Sequence, residues 1–184
     1  MAPRKPRLFI GIELDDETRQ RCAAVSERLR ASSPNLRLVE PENYHLTLAF
    51  LGNVKAEWMA EIERALDATA SRHRQFPVTL NRLGAFPHER KPRVIFVGSR
   101  GADPAYRALA AGVSAECKRL AFQVEDKDDI PHVTLARVPE RARLSLPLLD
   151  VERIVVDVAA LTLFESIPHE GHTRYEARHV SPLG

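Results

Sequence analysis

The run His45-Leu46-Thr47-Leu48-Ala49 returns later in the chain as His132-Val133-Thr134-Leu135-Ala136. The copies are 87 residues apart, and the same offset carries Leu8-Phe9-Ile10-Gly11 onto Ile95-Phe96-Val97-Gly98. A strand-like run followed at one fixed distance by His-x-Thr, twice over, reads as an internal repeat. It predicts two half-chains of like build, about 7–86 and about 93–180, each delivering one His and one Thr to a shared site. No low-complexity linker separates them, so residues 1–184 are expected to form a single two-lobed domain.

Working outward, alternation assigns the faces, because residues two apart in a strand share a side. Leu8, Ile10, Ile12 and Leu14 form an apolar side, with Arg7, Phe9, Gly11 and Glu13 opposite. In the first motif Leu46, Leu48 and Phe50 fall on the core side, leaving His45, Thr47 and Ala49 on the open side. In the second, Val133 and Leu135 point inward while His132, Thr134 and Ala136 face out. Phe9 and Phe96 lie on the open side by the same rule, where an aromatic ring can stack on a base or ribose.

Hydrophobic periodicity predicts helices over 16–31, 56–72 and 104–120, the last opened by Asp103-Pro104 as N-cap and first-turn proline. Strands are expected over 7–14, 36–39, 44–51, 78–86, 93–98, 122–125, 132–138, 151–165 and 174–180, with an acidic turn over 126–129. The joins are hairpin-like, which favours antiparallel pairing over a doubly wound parallel sheet. The expected class is α+β: two pseudo-symmetric lobes, each a mainly antiparallel sheet backed by helices, with the active site in the cleft between them.

Composition narrows the classes of function. The 184 residues are 44% hydrophobic and 28% charged, as in an ordinary globular protein, and a net charge of +2 does not suit a nucleic-acid coat protein. The cationic residues are 22 Arg against 5 Lys, and the planar guanidinium suits bidentate phosphate contacts. Cys22 and Cys117 match no metal or redox spacing and are expected to be reduced and packed. The apolar run 8–12 is too short for a signal peptide, and no stretch has membrane-spanning length. A cytoplasmic protein without membrane contact is expected.

The chemistry that fits two facing histidines is in-line attack at a phosphodiester. One neutral imidazole takes a proton from water and one protonated imidazole gives a proton to the leaving oxygen; an ordinary pKa near 6.5 lets both forms coexist. Threonine hydroxyls at Thr47 and Thr134 can donate to the non-bridging phosphate oxygens. His-x-Thr is not a chelating pattern, so neither metal nor cofactor is called for. His169, His172 and His179 lack carboxylate support and read as surface residues, and the basic turn 88–93 reads as a solvated loop. Strict alternation places Arg137 opposite His132 and Thr134, so it reaches the site only if the strand bends or ends near Ala136.

Paired His-x-Thr-x motifs half a chain apart resemble those of the two-histidine (2H) phosphoesterase superfamily. The runs Arg7-Leu-Phe-Ile-Gly-Ile12, Asn43-Tyr-His-Leu-Thr-Leu-Ala-Phe-Leu-Gly52 and Pro131-His-Val-Thr-Leu-Ala-Arg137 are similar to its bacterial and archaeal RNA 2′,3′-cyclic phosphodiesterase branch, long called 2′-5′ RNA ligases. Leu161-Thr-Leu-Phe-Glu-Ser166, Gly171 and Tyr175 resemble that branch's C-terminal segment. The resemblance implies hydrolysis of 2′,3′-cyclic phosphate ends of RNA, tRNA fragments among them, to 2′-phosphomonoesters, with weak reversible 2′-5′ joining. It implies His45 as proton donor, His132 as proton acceptor, and Thr47, Thr134 and Arg137 as phosphate-binding residues in a monomer. The repeat itself leaves the two histidine roles interchangeable. Another 2H phosphoesterase acting on a different cyclic or 2′-5′ nucleotide, and a non-catalytic RNA-end binding protein, are the alternatives.

Overall fold

In the computed structural model, residues 5–101, 103–124, 130–140, 144–170 and 172–184 are described. The first half supplies β1 (Arg7–Glu13), α1 (Asp16–Ser32), β2 (Arg37–Leu38), β3 (His45–Asn53), α2 (Met59–Ala70), β4 (Phe76–Leu80) and β5 (Arg82–Phe86). The second supplies β6 (Val94–Gly98), α3 (Pro104–Arg119), β7 (His132–Arg137), β8 (Ile154–Val158), β9 (Ala160–His169) and β10 (His172–Pro182). Single-turn 3-10 helices, Pro41–Asn43 and Ala56–Trp58, precede β3 and α2. Local chemistry accounts for the helix starts. Asp15 accepts from the Thr18 backbone N–H at 2.7 Å, a bond that holds its carboxyl below the usual range, and Asp103 accepts from Tyr106 N–H at 3.0 Å. The expected strand over 122–125 is absent at the described residues 122–124, while the expected acidic turn and Gly171 fall outside the described residues.

The main sheet runs β10-β9-β1-β3-β7-β6-β5, with β2 also beside β7, and β4 and β8 make a separate pair. Every pairing is antiparallel, and the α+β class stands. The spatial halves of the sheet are not the sequence halves. β9 flanks β1, and β5 flanks β6, so each half of the sheet takes its outer strand from the other half of the chain. Helices cross in the same way: α1 packs on β7, and α3 packs on β3. Where the halves meet, β3 and β7 share a single bridge, Leu46 opposite Val133.

The helices cover one face of the sheet. Leu8, Ile10, Ile12, Leu46, Leu48, Val133 and Leu135 are buried there against Cys22, Leu29, Ile62, Leu109 and Val113. Both cysteines are free and buried, and burial pushes the Cys22 thiol up to about 12. The opposite face carries the motif residues, and there strict alternation fails. Ile10 pairs with Ala49 and Gly11 with Thr47, which skips Leu48; Ile95 pairs with Ala136 and Phe96 with Thr134, which skips Leu135. Leu48 and Leu135 are equivalent positions in the repeat. One extra residue in a strand reverses the side on which later residues point. Ala49 and Ala136 therefore turn into the core instead of facing out. Phe50, expected in the core, is 47% exposed on the motif face, and Arg137 reaches that same face.

Gly11 permits the close approach of β1 to β3, since a Cβ there would lie 2.5 Å from the Leu46 carbonyl oxygen. Gly11→Ala should cost about 1–3 kcal/mol in urea unfolding by overpacking backbone against backbone. Gly101→Ala, with nothing within 4 Å of its Cβ, should stay within about 0.5 kcal/mol of the parent.

Candidate active site

The bridge between Leu46 and Val133 sets the geometry of the site. Antiparallel pairing about it brings His45 beside Thr134 and Thr47 beside His132, all four on the face away from the helices. Neighbours across such a pair have Cβ atoms roughly 4.5–5.5 Å apart. Four polar side chains from the two halves of the chain thus crowd one spot on this face of the sheet.

Backbone carbonyls orient both histidines identically. His45 Nδ1 donates to the Asn43 carbonyl at 2.7 Å, and His132 Nδ1 donates to the Ile130 carbonyl at 2.9 Å. A carbonyl only accepts, so Nδ1 carries the proton and Nε2 is the atom that gains or loses one. In the neutral ring His45 Nε2 accepts from the Thr47 hydroxyl at 2.9 Å.

Each imidazole rests on a pair of aromatic rings. Phe9 lies 4.7 Å from His45 and stacks on Phe164 at 4.9 Å. Phe96 lies 5.0 Å from His132 and stacks on Phe86 at 4.6 Å. Phe9 and Phe96 are each only 2% exposed, so neither is a surface on which a base can stack, contrary to the alternation reading. That reading put them on the correct face, but β9 and β5 bring Phe164 and Phe86 alongside and the histidines lie across them. Gly84 and Gly98 leave room for the Phe96 ring, since a Cβ at either would come within 3 Å of it.

A cavity of about 240 Å³ opens on this face. His45, Thr47, Thr134 and Arg137 line it, together with Phe50 and Tyr175. His132 is not part of its wall; it stands two residues from Thr134 on the same face. Arg37, Leu38, Val39 and Glu40 also line the cavity, as do His172 and Thr173 on β10. His172 is exposed as expected, yet it belongs to the cleft; His179 instead bonds Asp67 at 2.8 Å. Among the described residues, no three His, Cys, Asp or Glu side chains gather at metal-ligand spacing.

Sequence reading passed over Asn43 and Tyr175 as site residues. Asn43 Nδ2 donates to the Thr173 carbonyl at 2.6 Å, and its Oδ1 accepts from Tyr175 N–H at 3.1 Å. The residue whose carbonyl orients His45 is therefore itself clamped to the edge strand β10. Tyr175 closes the arrangement with its ring edge-on to His45 at 5.1 Å. The only sequence cue was Asn43 preceding His45 by two, the offset at which Ile130 precedes His132.

Comparison with known proteins agrees with the geometry. A profile of the family described as LigT like Phosphoesterase matches residues 12–96. An RNA 2′,3′-cyclic phosphodiesterase of Archaeoglobus fulgidus is 36% identical over 135 residues, 73% of this chain and 74% of that protein. The chain belongs to the LigT-like phosphoesterase family. An Escherichia coli K12 RNA 2′,3′-cyclic phosphodiesterase is 32% identical over 173 residues, 92% of each chain. The crystal structure of E. coli LigT complexed with 3′-AMP superposes with a TM-score of 0.70 at 30% identity, covering 98% of this chain and 99% of that one. No helix among the described residues is long and apolar enough to cross a membrane.

The Asn43 clamp makes a local prediction. Asn43→Ala removes the acceptor of the Tyr175 amide, so hydrogen exchange at Tyr175 should accelerate by about fivefold, the equivalent of a hydrogen bond of roughly 1 kcal/mol. Amides in α3, which packs on α2 and β3, should exchange as in the parent.

Proposed function

We propose that this protein hydrolyses 2′,3′-cyclic phosphate ends of RNA to 2′-phosphomonoesters by paired histidine acid–base catalysis. The observation that carries the reading is the duplicated tautomer lock, with both Nδ1 atoms tied to backbone carbonyls and both Nε2 atoms left as the working positions. Relatives named RNA 2′,3′-cyclic phosphodiesterase support the substrate class, as does a LigT complex holding 3′-AMP.

Nε2 of His132 takes a proton from water as the oxygen attacks phosphorus. Nε2 of His45 gives its proton to the departing ribose 3′ oxygen, leaving the phosphate on the 2′ oxygen. The hydroxyls of Thr47 and Thr134 donate to the non-bridging oxygens, where charge accumulates in the transition state. Arg137, brought onto the cleft face by the bulge at Leu135, pairs with the same phosphate. The exposed Phe50 ring, at the equivalent position beyond the other motif, takes over the base-stacking role that the buried Phe9 and Phe96 cannot fill. With a 5′ hydroxyl in place of water, the same proton transfers form a 2′-5′ linkage: His132 takes the hydroxyl's proton as its oxygen attacks phosphorus, and His45 protonates the departing 3′ oxygen. No metal has a step in this scheme. A monomer acting in the cytoplasm is consistent with it.

The test is an RNA ending in a 2′,3′-cyclic phosphate, incubated in excess chelator, with the position of the product phosphate determined. Wild type should yield the 2′-phosphate, and His45→Ala and His132→Ala should each lose about 10²–10⁴-fold in kcat. Turnover that requires added metal, or that survives both substitutions, would overturn the mechanism.

The pH dependence follows from the two roles. The rate should rise with pH as the base histidine loses its proton and fall again as the acid histidine loses its own, giving a bell within about pH 5–8.5. A flat profile across that range would exclude an obligatory pair of titrating imidazoles.

A further inference from the structure

The cleft extends beyond what one phosphate needs. Arg37 on β2 lies directly opposite Arg137 on β7, and both line the cavity. Like charges placed opposite each other across a strand pair destabilise it. Neither guanidinium takes part in an ion pair with another described residue. Glu40 also lines the cavity, on the same wall as Arg37. Two guanidiniums set opposite each other in this way are stabilised when an anionic group lies beside them in the cleft.

The position of that anion follows from the strand. The Arg37–Arg137 row lies three residues past Thr134, roughly 10 Å along β7 before the bulge is allowed for. The His and Thr side chains already surround the reacting phosphate, and Arg137 can reach it from one side. Arg37, opposite Arg137 across the row on β2 and lining the same cavity, is left for a second anionic group.

We propose that Arg37 binds the internucleotide phosphate adjoining the reacting nucleotide, so that the cleft selects the 3′ end of an RNA chain over a mononucleoside cyclic phosphate. The proposal rests on the phosphodiesterase reading above and deepens it by naming what makes the substrate an RNA. Arg37 is a specificity-determining residue in this account, and the proton transfers do not involve it. A mononucleoside 2′,3′-cyclic phosphate offers only the reacting phosphate and leaves the second position empty.

Two substrates separate the possibilities: a short RNA ending in a 2′,3′-cyclic phosphate and the matching mononucleoside 2′,3′-cyclic phosphate. Wild type should prefer the RNA in kcat/KM, and Arg37→Gln should reduce that preference by about tenfold, the loss expected for one charge-assisted contact. Arg37→Lys, which keeps the charge, should retain most of it. An equal loss on both substrates would overturn the proposal, as would no loss on either. Binding of the same RNA bearing a 2′-phosphate end, measured over a range of salt, provides a readout independent of turnover. Arg37→Gln should flatten the slope of log K against log salt by about 0.7, the share of one single-strand phosphate contact. An unchanged slope would refute the second phosphate contact even if turnover is normal. A flattened slope in a protein that does not hydrolyse the cyclic end would instead sink the phosphodiesterase reading and leave the phosphate subsite standing.

Discussion

One backbone bridge, Leu46 opposite Val133, holds the two halves of the sheet in register. Because side chains alternate along strands, a slip of one residue there would send His45 and Thr47 to the opposite side from His132 and Thr134. The apolar side chains of Leu46 and Val133 are both wholly buried, and this resists such a slip, since it would expose them to water and bury two imidazoles. Beyond the bridge β3 and β7 diverge, and β2 takes up the pairing with β7. That divergence opens the cleft. A longer β3–β7 ladder would have closed the sheet over the place where the cavity lies.

The two bulges then decide what else enters the cleft. They fall on Leu48 and Leu135, equivalent residues of the repeat, and each turns the residue two further on toward the motif face. The result is symmetric in placement and asymmetric in chemistry, with an aromatic ring at Phe50 and a guanidinium at Arg137. A repeat that kept the same residue at both positions would present one phosphate with equivalent walls. Here one position carries an aromatic ring and the other a guanidinium, so the nearly two-fold site has chemically distinct walls.

Exchange of outer strands ties the halves together. Phe164 on β9 backs Phe9, and Phe86 on β5 backs Phe96, so each histidine stands on one ring from its own half-chain and one from the other. Offset and tilted ring pairs of this kind contribute about 0.5–1.5 kcal/mol each beyond burial of their area. Neither histidine is held by its own repeat alone, and α1 and α3 cross the boundary in the same sense.

The repeat of His-x-Thr, the apolar stripes of the strands and the helix caps at Asp15 and Asp103 are properties of short segments, set by residue order alone. Period and capping are local, so the motif face, the α+β class and the four converging side chains were legible from residue order. The roles of Phe9 and Phe96, the exposure of Phe50, the approach of Arg137 and the clamp at Asn43 were not. Each depends on a partner distant in sequence: Phe164 and Phe86 over the rings, Gly11 and Phe96 across the bulges, Thr173 and Tyr175 on the edge strand. Alternation counts residues along one strand, whereas a bulge exists only relative to its neighbour. Which side chains line the cleft was therefore settled by tertiary structure, because that depends on register between strands and not on order within one.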